Sequence, residues 1–281
     1  MNRNAFTLVE LLVVIAIIGL LSTVAVINLK SSRSKAKVAA GQHFGSSINN
    51  AISDQLVLEW LFDVPAVGSV TPDTSGKGNN GTLTNGPTVG VGNNGNGAYV
   101  LNGSGQYIRT GVFPASTFTN TSFTWSAWVK GLTTDTGVNY MPTIGFGSGS
   151  WFRLGFHQVN GIWHFDQILD GSNINEVNCG PAPSATEWVF LTATAQYGGN
   201  VTCYQNGIAG ATMSYINNVT SATDFSVGHS VSSAWNEFFQ GTVDDIRLYL
   251  SALSLSSIKE QYLAGLPTHQ NISSVALYPI R

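Results

Sequence analysis

The segment Phe123-Thr-Trp-Ser-Ala-Trp-Val129 decides the fold of most of this chain, because aromatic and β-branched residues recur within one short run. Runs of the same kind follow at Trp188–Ala193 and Asp245–Tyr249, and clusters of Gly and Asn lie between them. Turns favour Gly and Asn, and short strands separated by such turns are typical of β-sandwiches and jelly rolls. From Trp60 onward, the sequence predicts an antiparallel two-sheet sandwich.

The composition indicates an exported β protein. Only 10% of the 281 residues are charged, against roughly 25% in ordinary soluble domains, and the chain contains 31 glycines. The formal net charge is −3, so no basic field attracts nucleic acid. Nucleic acid is therefore not expected as a partner.

The N-terminal segment is apolar from Phe6 to Leu29, apart from Glu10 and a few polar breaks. As a helix it would rise about 36 Å, enough to cross a hydrocarbon core of about 30 Å. A secretory signal would have a shorter apolar core and a small-residue cleavage site. A plain membrane anchor explains the length of the segment but not Glu10, because an acid inside a bilayer is costly and is by default a functional residue.

A third interpretation accounts for Glu10. The run Asn4-Ala-Phe-Thr-Leu-Val-Glu-Leu-Leu-Val-Val-Ile-Ala-Ile-Ile-Gly19 closely resembles the class III signal of type IV pilins and type II secretion pseudopilins. The resemblance implies that prepilin peptidase cuts between Ala5 and Phe6 and N-methylates Phe6. It also implies that Glu10 neutralises the Phe6 amine of a neighbouring subunit during assembly, and a buried carboxylate is tolerated when it is paired with a cation. The family usually has Gly before the cut, where this chain has Ala5.

The N-terminal helix is expected to continue beyond the membrane. Phe44, Ile48, Ile52 and Leu56 repeat every four residues, which places them on one helical face. We therefore expect a helix over residues 6–58, with a transmembrane part at 6–29, and the pilin resemblance implies a leader at residues 1–5. The basic residues after the span favour a cytoplasmic C-terminal side by the positive-inside rule. The pilin resemblance and the low charge favour an exported domain, and we follow them.

A second resemblance covers the β domain. Trp60-Leu-Phe-Asp63, Gly97-Ala-Tyr-Val-Leu-Asn-Gly103, Phe123–Trp128, Tyr204-Gln-Asn-Gly207 and Gly241–Tyr249 occur in the order found in LamG-like domains. These domains are concanavalin A-like lectin/glucanase jelly rolls. The resemblance implies a jelly roll over residues 59–264, followed by a tail at 265–281. It also implies a glycan or protein ligand.

The same resemblance implies a structural calcium ion. Asp73 and Asp244 fall where acidic residues lie in that family, and calcium prefers oxygen ligands. The alternative is that Asp73 caps a turn and that Asp244 and Asp245 make strand-edge hydrogen bonds. Adjacent strand residues point to opposite faces, so Asp244 and Asp245 do not form a facing acid/base pair. We expect no enzymatic activity; a glycan hydrolase is the least favoured alternative.

Two further groups of residues carry predictions. Cys179 and Cys203 are the two cysteines; in an oxidising compartment they would pair, and otherwise they are two unrelated buried residues. Trp60, Trp128 and Trp188 match core positions of the family. Trp151, Trp163 and Trp235 sit near Gly, Ser or Asn. Core packing or loop anchoring is the favoured interpretation for them and exposure is the alternative, in which case Trp151 and Trp235 are the candidates for a ligand surface.

These predictions describe an α+β protein, with a long N-terminal helix followed by a two-sheet antiparallel jelly roll. The expected function is that of a processed filament subunit, held in the inner membrane before assembly and bound to other pilin-like subunits through its helix. Its head would lie outside the cytoplasm and serve adhesion or glycan binding. The alternative is a membrane-tethered carbohydrate-binding module that does not assemble.

Overall fold

The computed structural model describes residues 8–9, 11–15, 17–18, 52–92, 97–131, 144–148, 152–159, 161–168, 174–181, 184, 186–216, 224–229 and 238–269. The chain divides into two units, residues 1–51 and 52–281. The described residues of the first unit are helical, and their apolar side chains are exposed. Within the described part of the chain, none of the helices combines the length and apolarity that crossing a membrane requires.

The second unit begins earlier than the sequence predicts. Ile52 and Ser53 are helical, but Leu56–Trp60 form the first strand, so the predicted helix does not extend to Leu58. The reason is a competing period: Leu58 and Trp60 alternate with polar or half-exposed neighbours and are fully buried, as expected of a strand over a core. The helical repeat of apolar residues every four positions therefore stops at Leu56, where the chain begins to pair with a neighbouring strand of the sheet.

The described residues of this unit form sixteen strands and a C-terminal helix. The strands are β1 (Leu56–Trp60), β2 (Val70–Thr71), β3 (Gly81–Thr84), β4 (Thr88–Val91), β5 (Gly97–Asn102), β6 (Tyr107–Arg109), β7 (Phe123–Gly131), β8 (Ile144–Ser148), β9 (Phe152–Val159), β10 (Ile162–Ile168), β11 (Ile174–Pro181), β12 (Val189–Ala195), β13 (Asn200–Gln205), β14 (Ile208–Ser214), β15 (Asp224–Val227) and β16 (Gln240–Tyr249). A short 3-10 turn spans Ala115–Thr117, and helix α1 spans Leu255–His269.

The strands build two antiparallel sheets. The back sheet has the order β14-β13-β12-β7-β16-β5-β4, with β1 also paired to β16. The front sheet has the order β11-β10-β9-β8-β15-β6-β3-β2. The predicted two-sheet antiparallel β-sandwich is confirmed, and each sheet combines consecutive strands, such as β8 to β11, with pairs that lie far apart in the chain, such as β7 and β16.

The main core lies between the two sheets. Trp60 of the back sheet packs 6.1 Å from Phe225 of the front sheet, and Trp125 packs 4.9 Å from Phe165 in the same way. All four side chains are fully buried. Burying such a side chain stabilises the fold by roughly 1.5–3 kcal/mol, so these cross-sheet contacts hold the layers together.

A second apolar cluster covers the outer face of the back sheet. Trp128, Phe190 and Tyr249 point to this face, and Ile258 and Leu266 of helix α1 pack on them. Tyr262 of α1 stacks on Trp128, with ring centroids 5.7 Å apart. The back sheet is therefore buried on both faces at its centre, and the outer face of the front sheet is the other broad surface of the sandwich.

Candidate functional site

The front sheet carries a cross-strand row of residues on its outer face. Successive paired positions run Thr82, Arg109, Ser226, Gly145, Gly155, Asp166 and Glu176. The residues adjacent to these along their strands, such as Ile108, Phe225 and Phe165, belong to the main core. Because strand side chains alternate between faces, this front-sheet row lies opposite the core, with polar residues at both ends and two glycines at its centre.

The paired glycines leave the middle of the row without side chains. Gly145 and Gly155 are direct partners on the central strands β8 and β9. Three strand spacings separate Ser226 from Asp166, which corresponds to roughly 14 Å between their backbones. The row thus has only backbone at its centre, between Ser226 and Asp166, which are both buried.

An aromatic stack borders the row on the β6 side. The rings of Tyr107 and His229 lie 4.9 Å apart at 27°, and those of His229 and Phe238 lie 4.6 Å apart at 28°. The Arg109 guanidinium carbon lies 5.9 Å from the Tyr107 ring centre. All three rings are half-buried, so the stack is supported from beneath and reaches solvent.

Burial and charge perturb two titratable groups near this stack. Burial raises the pKa of Asp224, while its own backbone N–H and Arg109 act in the opposite direction. Burial lowers the pKa of His229, and the nearby Arg109 lowers it further. Burial and Arg109 both disfavour a protonated His229, and its ring lies between the aromatic rings of Tyr107 and Phe238.

The other end of the row is acidic. Asp166 is fully buried, and its register partner on the neighbouring strand β11 is Glu176. The Oε1 atom of Glu176 lies 3.8 Å from His164 Nδ1. Asp166 and Asp224 lie on strands that are three positions apart, roughly 14 Å by strand spacing, whereas hydrolytic carboxyl pairs lie about 5–9.5 Å apart. The absence of enzymatic activity stays a prediction.

The predicted calcium residue Asp73 organises its own loop. Its Oδ1 accepts hydrogen bonds from the backbone N–H groups of Glu59 and Ser75, each at 2.9 Å. Its Oδ2 accepts from the Ser75 hydroxyl and the Asn79 N–H, each at 2.8 Å. Four donors therefore surround the carboxylate, as the turn-capping alternative expects. The role of Asp73 and Asp244 as calcium ligands stays a prediction.

The structure places Asp244 in a different setting from Asp73. Asp244 lies in β16, is 3% exposed, and accepts a hydrogen bond from the Asp245 N–H at 2.8 Å. Asp245 has φ +49°, and the register shifts between Asp244 and Arg247. The expected regular alternation of the two acids is wrong here, because a β-bulge interrupts the strand. Among the described residues, no group of three or more His, Cys, Asp or Glu is arranged to hold a metal ion.

Cys179 of β11 and Cys203 of β13 form a disulfide, with Cα atoms 5.1 Å apart. The bond joins the edge of the front sheet to the back sheet. Trp60, Trp128 and Trp188 are buried, as expected, and Trp125 is buried with them. Trp163, for which core packing was the favoured interpretation and exposure the alternative, is 2% exposed and packs 6.3 Å from Phe239, because its strand position faces the core.

Several predicted site residues lie outside the described residues. These are Ala5, Phe6, Glu10, Trp151 and Trp235. Conversely, Tyr107, Arg109, His229 and Phe238 were not predicted from the sequence. The alternation of Tyr107 and Arg109 around an apolar Ile108 signals a half-exposed strand, but no local pattern joins it to residues more than 100 positions away.

Two known family profiles match this chain, one in the β domain and one at the N-terminus. The profile of the concanavalin A-like lectin/glucanases superfamily matches residues 102–259. The profile of the prokaryotic N-terminal methylation motif matches residues 1–26. No curated protein sequence matches the chain.

Solved structures resemble the β domain at low identity. Domain 4 of AbnA, an extracellular GH43 arabinanase from Geobacillus stearothermophilus in complex with arabinotriose, is 24% identical with a TM-score of 0.58; the match covers 73% of this chain and 97% of that one. A structure of botulinum neurotoxin type C, whose cell entry depends on interaction with two ganglioside molecules, is 15% identical with a TM-score of 0.59, covering 76% of this chain and 52% of that one. The binding domain of botulinum neurotoxin DC with SialylT is 14% identical at 0.60, also covering 76% and 52%. The match spans about half of each botulinum chain, and identities this low show the fold alone.

Proposed function

Because the chain belongs to the concanavalin A-like lectin/glucanases superfamily and begins with a prokaryotic N-terminal methylation motif, we propose that it is a processed filament subunit with a glycan-binding head. The N-terminal segment anchors the chain in the membrane and then in a pilus or pseudopilus. The β domain lies outside the cytoplasm and binds carbohydrate. Its partners are prepilin peptidase, other pilin-like subunits and a surface glycan.

The N-terminal part of the proposal rests on the order of Ala5, Phe6 and Glu10. Cleavage before Phe6 creates a free amine at the start of an apolar helix. A carboxylate four residues later is costly in a bilayer or filament core unless a cation neutralises it. The Phe6 amine of a neighbouring subunit supplies that cation, and assembly then depends on the pair.

The observation that supports glycan binding is the aromatic stack beside the glycine pair of the front-sheet row. Sugar rings present an apolar C–H face and a rim of hydroxyls, so they require an aromatic surface and polar groups together. Tyr107 supplies a half-buried ring, Arg109 supplies donors, and Gly145 and Gly155 bring no side chains to the middle of the row. The opposite sheet lacks such a surface at its centre, since helix α1 covers it.

Intact mass and N-terminal sequencing of the membrane-extracted protein test the processing step. With an active prepilin peptidase, we expect a chain that begins at N-methylated Phe6. Glu10→Leu should leave cleavage unchanged and abolish recovery of the protein in sheared filaments. An uncut chain in the presence of the peptidase would favour the alternative, a membrane-tethered carbohydrate-binding module.

Glycan binding is tested on the full chain with an oligosaccharide array and calorimetry. Arabinotriose and a sialylated oligosaccharide are the first probes, since they represent the ligand chemistry of the related folds. Tyr107→Ala should weaken binding at least tenfold. Tyr197→Ala is the matched control, because Tyr197 is half-exposed and lies at the turn between β12 and β13. Equal losses in both variants would contradict the front-sheet site.

A further inference from the structure

Strand β4 (Thr88–Val91) forms one edge of the back sheet. It pairs with β5 on one side, and no strand in the described part of the chain pairs with its other side. Thr88, Val89 and Val91 are exposed. Because an edge strand presents unpaired backbone N–H and C=O groups, it is a template for pairing with a further strand. The free side of β4 therefore offers main-chain hydrogen bonds to an added segment.

The other edge strands in the described part of the domain are protected. Short length, a bulge, a charge or a covering loop protects an edge from further pairing. β2 has two residues, and β11 and β14 each have a register shift against their neighbours. The Asp73 loop covers the outer side of β1, where the Thr74 N–H donates to the Glu59 carbonyl at 2.9 Å. In contrast, β4 is uncharged and in regular register with β5.

The exposed valines of β4 lie on the side of the strand that faces the core. Val89 is the register partner of Tyr99, and Val91 is that of Gly97. Paired strand residues point to the same face, and Tyr99 belongs to the main core. Val89 is nevertheless 68% exposed and Val91 is 78% exposed. The sandwich is therefore open at this edge, and the two valines have no apolar cover from the described residues.

The segment that follows helix α1 has a sequence that suits such a cover. Residues 270–281 lie outside the described residues, and they include the uncharged run Ser273-Ser-Val-Ala-Leu-Tyr278. In an extended conformation, Val275 and Leu277 would share one side and Ala276 would lie on the other. Pro279 follows the run and would end the pairing, because proline cannot donate to a strand ladder.

This segment is long enough to reach β4 from the end of α1. Gly265 lies directly on Trp128 of β7, since a Cβ there would be 2.8 Å from Trp128 Cε2. A strand added to β4 would lie four strand positions from β7, roughly 19 Å to the side. α1 ends at His269, and the extended chain from there to Leu277 covers roughly 27 Å. The difference allows for the descent from the helix layer to the sheet.

We propose that residues 273–278 add a strand to the free side of β4. Main-chain hydrogen bonds join the two strands, and Val275 and Leu277 cover Val89 and Val91. The added strand closes the open edge of the back sheet. Because Pro279 interrupts the donors of the new edge, the domain is also protected from edge-to-edge association.

Hydrogen exchange of the β4 amides tests this pairing. Mass spectrometry compares the full chain in detergent with a variant that stops after His269. The amides of Thr88–Val91 should exchange at least tenfold faster in the shortened chain, because they lose their acceptors and their cover. The amides of β14, at the opposite edge of the same sheet, are the internal control and should exchange equally in both proteins.

Two substitutions in the full chain separate the two sides of the added strand. Leu277→Asp places a charge against the valines and should accelerate exchange of the β4 amides as the deletion does. Ala276→Asp is the matched control, because it changes the neighbouring residue on the opposite side, and it should leave exchange unchanged. Equal effects of the two substitutions would overturn the assigned orientation of the strand.

Two further outcomes would overturn the proposal as a whole. Equal exchange of the β4 amides in the full and the shortened chain would show that the segment does not pair with β4. Protection that disappears when the full chain is diluted would assign the edge to a strand from a second copy. Protection that is independent of concentration and lost with the deletion is the expected result.

Discussion

Arg247 and Glu59 form an ion pair that joins the two ends of the β domain. The Arg247 Nε lies 2.8 Å from Glu59 Oε1, although the residues are 188 positions apart in the chain. Asp245 lies 3.7 Å from the same guanidinium, and the Thr74 hydroxyl donates to Glu59 Oε2 at 2.8 Å. Both side chains of the pair are about four-fifths buried, so the first strand, the last strand and the Asp73 loop share one polar network.

Breaking this pair should destabilise the domain strongly. Removing one partner of a buried ion pair leaves the other charge uncompensated and costs about 3 kcal/mol. We expect that loss for Glu59→Leu and for Arg247→Met, and a smaller loss for the double variant. Chemical denaturation measures the free energy of unfolding. The exposed Lys77→Met is the control and should change it by less than about 0.5 kcal/mol; additive losses in the double variant would contradict the pairing.

Tyr249, buried beside this network, should make the fold sensitive to alkali. Burial raises the pKa of Tyr249 to about 12, with Arg247 lowering it and Glu59 raising it. The ordinary value is about 10, so between these values the folded state binds more protons than the unfolded state. The free energy of unfolding should then fall by roughly 2–3 kcal/mol as the pH rises through this window. Tyr249→Phe should remove that pH dependence, and a parallel decline in the variant would contradict this assignment.

Asp73 should stabilise its loop without calcium. Asp73→Asn replaces the acceptor of the Ser75 hydroxyl and the Asn79 N–H, and we expect a loss of about 2 kcal/mol. Asp54→Asn, at an exposed position, is the control. Melting temperatures in excess calcium and in chelator should coincide for the unchanged protein. A calcium-dependent rise that disappears only in Asp73→Asn would show that the ion displaces these donors.

The aromatic stack should loosen in acid. Because burial and Arg109 lower the pKa of His229, the unfolded state takes up the proton first as the pH falls below about 6.5. Stability is therefore present above that pH and is lost as the pH falls toward the folded-state pKa. Denaturation of the unchanged protein and of His229→Phe at mildly acidic and neutral pH measures this. In His229→Phe, the free energy of unfolding should fall less as the pH is lowered than in the unchanged protein. Identical pH profiles for the two proteins would contradict a role of His229.

The Cys179–Cys203 disulfide should contribute to stability through the unfolded state. Its cysteines are 24 positions apart, and closing a loop of that length restricts the unfolded chain by roughly 3 kcal/mol. The double variant Cys179→Ala, Cys203→Ala should lose about that amount in guanidinium denaturation. Reductant should shift the unchanged protein to the same midpoint and leave the variant unaffected. An unchanged midpoint under reducing conditions would exclude this contribution.

Local patterns predicted the sandwich because the alternation within Phe123–Val129 and the Gly/Asn turns act between near neighbours. They also predicted buried Trp60, Trp128 and Trp188. For Trp163 they left exposure open beside core packing, and the strand face decided burial. The expected alternation of Asp244 and Asp245 was wrong, because a bulge requires two residues on one strand to oppose one on its partner, and that demand comes from the sheet.

The amino-acid sequence by itself determined the two-sheet class of the β domain and the methylation motif at residues 1–26, because both depend on residue types at short, regular spacing. Only the tertiary structure decided that Tyr107 stacks on His229, that Gly145 opposes Gly155, and that Gln205 meets Gly180 at the sheet edges. The physical reason is that strand register and sheet-edge contacts are set by packing of the whole core. No short segment carries that information.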